Sequence, residues 1–164
     1  MIEVVKIPEQ RKGVLIGKGG SVKREIEKKT NTKITITDVV EIEGEPVDVL
    51  KAREIVKAIA RGFSPEKAFK LLDDDYQLFI ISLGDMTENS RKRIMSRIIG
   101  TNGKVRQRIE MATNTDISVY GKTVSFIGKW EDIQAATKAV EMIIEGKTHQ
   151  TVFKYLATLK GAML

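Results

Sequence analysis

Two glycine pairs, each three residues apart, are the features of this 164-residue sequence that are best suited to chemistry. They occur in Gly17-Lys18-Gly19-Gly20 and in Gly100-Thr101-Asn102-Gly103. Glycine lets a backbone approach a ligand closely, and the first amides of a following helix point outward at the positive end of the helix dipole. Both turns are therefore predicted to bind phosphate groups.

Neither turn matches the phosphate loops of nucleotide-binding enzymes. A P-loop has four residues between its glycines and then Lys-Ser/Thr, whereas Gly13 and Gly17 enclose three residues and Lys18 precedes Gly19. The dinucleotide fingerprint has a different glycine spacing and follows a strand, whereas Gly17 follows a helical pattern. A nucleotide-hydrolysing enzyme is disfavoured, and a clamp on the sugar-phosphate backbone of single-stranded nucleic acid remains.

The composition disfavours most other chemistries. The chain has no cysteine and one histidine, His149, which excludes disulfides, thiolate metal sites and His-rich metal sites and makes Ser-His catalysis improbable. We predict no enzyme activity, no cofactor and no metal, and we interpret residues 73–75, three consecutive aspartates, as a solvated linker. The sequence also lacks an apolar run of about 18 residues and a signal-peptide pattern, so we predict a cytoplasmic protein without a membrane role.

The sequence contains an internal repeat. Residues 16–34 and 99–117 are identical at ten of nineteen positions, and the similarity continues through Gly62 and Gly146 to Phe69-Lys70 and Phe153-Lys154. A tandem of two modules explains this pattern most simply. We place the boundary near residue 75, which gives domains 1–75 and 76–164, each with an appended helix at its end.

Hydrophobic spacing predicts the same elements in both modules. Apolar runs at 2–7 and 78–83 indicate strands, and alternation in the two segments 34–42 and 117–126 indicates hairpins. Helical spacing on both sides of each glycine turn and after each hairpin completes the order β-α-α-β-β-α. Ser64-Pro65 and Thr148 are predicted to begin the appended helices.

The positive charge is concentrated around the two glycine turns. Residues 9–33 contain eight basic and three acidic side chains, and residues 88–110 contain seven and two, so that each segment has a net charge of +5. The intervening residues 34–87 contain six basic and eleven acidic side chains, a net charge of −5. This clustering is expected of a protein that binds a phosphate backbone, although the net charge of the whole chain is only +6.

These motifs resemble a known family of RNA-binding modules. Residues 14–23 with Ile26 and Ile34, and residues 98–105 with Ile109 and Ile117, are similar to the signature of KH domains. The whole chain resembles the archaeal members of the partner-of-Nob-one family, also called Krr-like or dimethylase-interacting proteins. The resemblance implies an α+β fold of two tandem type I KH modules, each with a three-stranded antiparallel sheet packed on three helices.

The resemblance also implies a function. Members of this family are assembly factors that bind single-stranded RNA near the 3′ end of the small-subunit rRNA. A maturation endonuclease or a translation initiation factor subunit is then the expected protein partner, and we expect a monomer. The eukaryotic relatives have a degenerate first loop, whereas residues 17–20 here are intact. A general KH RNA-binding adaptor in RNA decay or translation is the alternative, and a protein adaptor is compatible with either function.

The candidate RNA-binding residues comprise the glycine turns, nearby cations and an aliphatic groove for bases. In the first module they are Val14, Ile16, Gly17, Lys18, Gly19, Gly20, Lys23, Arg24 and Ile34. In the second module they are Arg93, Arg97, Ile98, Ile99, Gly100, Thr101, Asn102, Gly103, Lys104, Arg106, Arg108 and Ile117.

Overall fold

A computed structural model of the chain describes residues 1–162 and shows the same order of elements twice. The first module comprises β1 (Ile2–Val5), α1 (Glu9–Ile16), α2 (Ser21–Thr30), β2 (Lys33–Ile36), β3 (Val40–Glu43), α3 (Pro46–Ala60) and α4 (Pro65–Ala68). The second module comprises β4 (Tyr76–Ser82), α5 (Glu88–Ile99), α6 (Lys104–Thr113), β5 (Asp116–Tyr120), β6 (Thr123–Lys129), α7 (Trp130–Ile144) and α8 (His149–Ala162).

Each module forms a three-stranded sheet in which the last strand lies in the centre. The strand orders are β1-β3-β2 and β4-β6-β5. In the first sheet both neighbours pair antiparallel with β3, for example Val4 with Glu41 and Ile34 with Ile42. In the second sheet the β5–β6 hairpin pairs Ile117 with Phe126. The predicted α+β class and the tandem of KH modules are confirmed.

The helices cover one face of each sheet and bury the apolar positions that the spacing predicts. In the second module α5, α6 and α7 contribute Ile98, Ile109 and Val140, which are fully buried, to one core with Phe126 of β6. Packing against this common core fixes the two helices around each glycine turn, because neither helix is long enough to be stable in isolation.

An arginine fastens the first helix of each module to the end of its third helix. Arg11 of α1 donates to the carbonyl oxygens of Ile59 and Phe63, both at 2.8 Å. Arg97 of α5 donates to the corresponding carbonyl oxygen of Ile143 at 3.1 Å and to that of Lys147 at 2.5 Å. Helix ends leave carbonyl groups without intrahelical partners, and these arginines bind them.

The appended helices differ in length. Ser64 caps α4 as predicted, with its Oγ accepting from the amide of Lys67 at 3.3 Å, but α4 has four residues and passes into a 3-10 turn. In the following linker Asp73 accepts from the amide of Asp75, and Asp74 pairs with Lys51, whose hydrogen bond lowers the pKa of the Asp74 carboxyl below its ordinary value. α8 extends instead over fourteen residues.

The chain divides into two compact units, Met1–Leu78 and Phe79–Leu164. The boundary predicted at residue 75 falls before the first residue of β4, Tyr76, whereas the division between the units falls within this strand.

Among the residues that the structure describes, no helix combines the length and the apolar character needed to cross a lipid bilayer.

Candidate nucleic-acid interface

The first glycine of each turn ends a helix in a backbone conformation that other residues rarely adopt. Gly17 has φ 74° and ψ 173°, and Gly100 has φ 74° and ψ 176°. A Cβ atom at Gly17 would lie 2.5 Å from Cγ2 of Val22, and one at Gly100 would lie 2.3 Å from Cγ2 of Val105. Glycine is therefore required here by both backbone conformation and space.

The next three residues form a 3-10 turn that leads into the following helix. Gly19 and Asn102 take left-handed conformations at the same position, with φ 61° and 55°. Asparagine is among the few residues other than glycine that tolerate this region, which explains how a Gly-x-x-Gly turn accommodates Asn102. Gly20 and Gly103 are left-handed as well, with φ 79° and 74°.

The amides in the middle of each turn are available to a ligand. The N–H groups of Gly17 and Gly100 donate to carbonyl groups of the preceding helix, and those of the fourth residues donate back across the turn. The N–H groups of the two residues between them form no backbone hydrogen bond within the described chain. Because these residues are exposed and precede a helix N-terminus, each turn has the geometry of a phosphate site.

Three cations of the first module take different roles. Lys18 is exposed in the turn itself, where it can contact a phosphate group. Arg24 folds back over the turn, and its Nη1 donates to the carbonyl oxygen of Gly19 at 2.6 Å. Lys23 pairs with Glu27 at 3.5 Å on the same helix. The structure therefore places Lys18 and Arg24 at the turn and Lys23 beside it.

The cations of the second module divide between exposed positions and positions with partners inside the module. Arg93, Lys104 and Arg108 are exposed. Arg106 instead pairs with Glu110 at 3.1 Å and reaches the carbonyl oxygen of Ile117 at 3.4 Å. Arg97 was expected to add charge for RNA, but both Nη atoms are engaged with carbonyl groups at the end of α7.

The aliphatic residues also divide into an exposed and a buried set. Ile16 is 38% exposed, and Val14 and Ile99 are partly exposed, so these side chains can contact a base. Ile34, Ile98 and Ile117 were also expected in the groove, but they are at most 2% exposed and belong to the cores. The cause is the direction of the side chains: Ile34 and Ile117 turn from their strands into the cores, and Ile98 turns from α5 into the core of the second module.

A glutamate in each module, absent from the predicted sites, holds the groove together. Oε2 of Glu27 accepts from the amide of Ile34, and Oε2 of Glu110 accepts from the amide of Ile117, both at 2.8 Å. Each carboxylate thus joins the helix after the turn to the neighbouring strand. The sequence contains a signal for this role, because Glu27 and Glu110 form one of the ten identical pairs between the repeats.

No metal centre accompanies this site in the part of the chain that the structure describes, since no three His, Cys, Asp or Glu side chains meet there in a metal-binding arrangement.

Comparison with families of known proteins matches both modules. Residues 77–161 match a model for the second KH domain of PNO1 proteins, described as a eukaryotic-type, or type I, KH domain. Residues 2–58 match the general KH-domain model. KH domains are RNA-binding modules whose Gly-x-x-Gly loop clamps the nucleic-acid backbone.

Archaeal proteins match most of this chain. A KH domain-containing protein of Methanocaldococcus jannaschii is 46% identical over 94% of this chain and 72% of its own length. The structure of Dim2p from Pyrococcus horikoshii is 46% identical, with a TM-score of 0.91 over 96% of this chain and 99% of that chain.

Two further solved structures show the same fold. A protein of unknown function from Aeropyrum pernix is 40% identical, with a TM-score of 0.91 over 99% of this chain and 92% of that chain. The P. horikoshii complex of a/eIF2α, aDim2p and rRNA contains a chain that is 46% identical, with a TM-score of 0.92 over 99% of this chain and 95% of that chain. The two glycine turns, the duplicated sheets and these matches together show that the chain belongs to the partner-of-Nob-one (Dim2p) family of tandem KH-domain proteins.

Proposed function

We propose that this protein is an assembly factor of the small ribosomal subunit that binds single-stranded rRNA near its 3′ end. The main support is the geometry of the glycine turns, whose middle amides are exposed, have no backbone partner and precede a helix. Each turn also lies in a segment with a net charge of +5. Amides and cations together bind a phosphate backbone, and the exposed Ile16 and the partly exposed Ile99 offer apolar contacts to bases.

The choice of rRNA is supported by a relative. The aDim2p chain of P. horikoshii, which is 46% identical to this chain, forms a complex with rRNA and a/eIF2α. Both complete Gly-x-x-Gly turns are present here, so we propose that both modules contact RNA. The scarcity of aromatic residues, 5% of the chain, fits a KH groove, which binds bases on aliphatic side chains.

We also propose a protein partner, a translation initiation factor subunit or a maturation endonuclease, bound by a monomer of this chain. The presence of a/eIF2α in the P. horikoshii complex favours the initiation factor.

Anisotropy titrations with the 3′-terminal segment of small-subunit rRNA and with a shuffled oligomer test the RNA proposal. The variants are Lys18→Asp/Gly19→Asp and Thr101→Asp/Asn102→Asp, and Asn89→Asp/Gln134→Asp is the control because it adds two negative charges at exposed positions outside the turns. Charge-assisted hydrogen bonds contribute about 1.5–3 kcal/mol each, so a turn variant is expected to lose affinity roughly tenfold or more.

The outcomes separate the candidate functions. Preference for the native segment, lost in a turn variant and kept in the control, supports the assembly factor. Equal binding of both oligomers favours a general KH adaptor. If both turn variants bind like the unaltered protein, the Gly-x-x-Gly clamp is not the binding site.

A further inference from the structure

A cavity of 640 Å³ opens beside the turn of the second module. It is bounded by the end of α5, the turn residues Gly100 and Thr101, the first half of α6, and the beginning of α8. Its volume lies within the range of about 300–1,000 Å³ that is typical of small-ligand pockets. The partly exposed Ile99, which is predicted to contact bases, does not line the cavity, so the cavity is distinct from the predicted base groove although it shares the turn and two cations with the candidate phosphate site.

The cavity wall is basic and aromatic. Lys104 and Arg108 both line it, and neither forms an ion pair within the described residues. The guanidinium carbon of Arg108 lies 3.9 Å from the centroid of the Phe153 ring. This cation–π contact orients the planar group and leaves its N–H edges available to an anion.

The other aromatic group is held in place by the fold. Nε2 of His149 lies 2.9 Å from the carbonyl oxygen of Arg97, to which it donates, and the imidazole stacks on Phe153 with ring centroids 6.1 Å apart. Among the residues that the structure describes, no aspartate or glutamate lines the cavity. Positive charge, fixed rings and the absence of a carboxylate at the wall together favour a phosphate-bearing ligand.

The first module lacks this arrangement, although it repeats the fold. Ser21 and Glu25 occupy the positions of Lys104 and Arg108 in the alignment of the repeats. Glu25 pairs with Lys29 at 2.8 Å, and that lysine covers the ring of Phe69, the counterpart of Phe153, at 4.8 Å. The two cations, Lys104 and Arg108, and the long helix α8 are therefore specific to the second module.

An apolar extension adjoins the basic cavity. A second cavity of 370 Å³ shares Lys104, Arg108 and Phe153 with the first and is completed by Gln107 and by apolar side chains of α6 and α8. One of these side chains, Met111, is 86% exposed. A basic end next to an apolar end matches the two parts of a nucleotide, its phosphate and its base.

We propose that these joined cavities bind one nucleotide of the RNA, immediately beside the segment held by the second glycine turn. Its phosphate contacts Lys104 and Arg108, and its base lies along Met111 and Phe153. The inference rests on the proposed RNA-binding function, because Gly100 and Thr101 border the cavity and make it continuous with the phosphate clamp. The site would lengthen the RNA footprint of the second module only.

The test uses a core oligomer and its extensions. The core is the shortest RNA whose binding to the unaltered protein depends on Thr101 and Asn102. Extensions add two nucleotides at the 5′ or the 3′ end, with or without the bases. We expect one of the two extensions to increase affinity about tenfold, as expected of one added charge-assisted contact, and the abasic form to retain part of the gain.

The key variant introduces into the second module the residues that the first module has at the same two positions. Lys104→Ser/Arg108→Glu is expected to weaken binding of the core, because both cations belong to the candidate site, and to lower the ratio of extended-oligomer affinity to core affinity from about ten to about one. Lys138→Ser/Lys154→Glu changes the charge equally at exposed positions that line neither cavity, and it should retain the gain. Melting curves confirm that each variant is folded.

Four results would overturn the proposal. If neither extension strengthens binding while the core still binds through the turn, no flanking nucleotide is bound and the proposed function stands. If Lys104→Ser/Arg108→Glu keeps the affinity gained from the extension, the cavity is not an RNA site. The same conclusion follows if this variant loses binding of an acidic peptide but keeps its full affinity for the RNA oligomers. If the unaltered protein binds no core oligomer, the proposed function fails, and this inference fails with it.

Discussion

At the scale of single residues, the first glycine of each turn meets two independent requirements. Gly100 has a positive φ, and a Cβ atom at this position would lie 2.3 Å from Cγ2 of Val105, which is itself buried in the core. Movement of Val105 would displace the start of α6 and with it the amides of the turn. The phosphate site and the core of the second module therefore depend on the same residue.

Gly100→Ala is expected to lower the free energy of unfolding by roughly 2–5 kcal/mol, from backbone strain and steric overlap together. The matched control is Gly146→Ala, which has φ 94° but nothing within 4 Å of the added carbon, and a loss of about 1–2 kcal/mol is expected there. Urea unfolding followed by the fluorescence of the single Trp130 measures both. Equal losses in the two variants would refute the steric part of the explanation.

Some features of the site residues could be predicted from the sequence, and others could not. The turns and the nearby charges followed from residue type and spacing alone. The division between Ile98, in the core, and Ile99, partly exposed, did not follow, because both are apolar and adjacent at the end of one helix. The role of Arg97 was equally hidden, since its partners lie 46 and 50 residues away in the chain.

At the scale of elements, the helix after each turn is joined to its neighbouring strand by a carboxylate. Glu110 accepts from the amide of Ile117 at the start of β5 and pairs with Arg106 on its own helix. Its side chain is 14% exposed, so solvent screens these interactions only weakly. Glu110 therefore joins α6 directly to β5, in addition to the packing of Ile109 and Ile117 in their common core.

Glu110→Ala is expected to destabilise the second module by about 2–3 kcal/mol, because the amide of Ile117 loses its acceptor. Glu88→Ala breaks an ion pair with Lys92 at 3.1 Å on an exposed helix surface and should cost no more than about 1 kcal/mol. Urea unfolding gives both values, and amide hydrogen exchange at Ile117 should accelerate in the first variant alone. Unchanged exchange would mean that the carboxylate does not secure the strand.

The elements themselves were largely predictable, and the exceptions have physical causes. Apolar alternation located the hairpins, and the cap at Ser64 located the start of α4. The length of α4 was not apparent, because the spacing of the buried Ala68 and Leu71 does not distinguish an α-helix from the 3-10 turn that follows it. The long α8 likewise depends on packing of Val152 and Leu156 into the core of the second module.

At the scale of the whole molecule, the duplicated charge pattern makes the number of engaged modules measurable. Two segments with a net charge of +5 flank a segment with a net charge of −5. Binding of single-stranded nucleic acid releases about 0.7 counterions for each neutralised phosphate. The salt dependence of the affinity therefore gives the number of phosphates that the protein neutralises, and no structure of the complex is needed for this measurement.

For a clamp of about four nucleotides in each module, the slope of log K against log salt concentration is expected to be about −3 for one module and about −6 for both. Anisotropy titrations at several KCl concentrations give the slope. We expect the steeper value for the unaltered protein with a long oligomer and about half of it for either turn variant. A slope near −3 for the unaltered protein would mean that only one module binds.

The arginines that fasten the first helix of each module have a consequence for folding. A chain that encodes one fold twice is exposed to exchange of helices between the copies, a known failure of repeat proteins. Arg11 and Arg97 reach corresponding carbonyl groups, but Arg97 aligns with Val14, one helical turn beyond Arg11. Because both arginines reach corresponding carbonyl groups, a helix docked in the same register on the wrong copy would still find acceptors for its arginine. These hydrogen bonds therefore secure each helix without distinguishing the two copies, and correct assembly depends on the side chains in which the two cores differ.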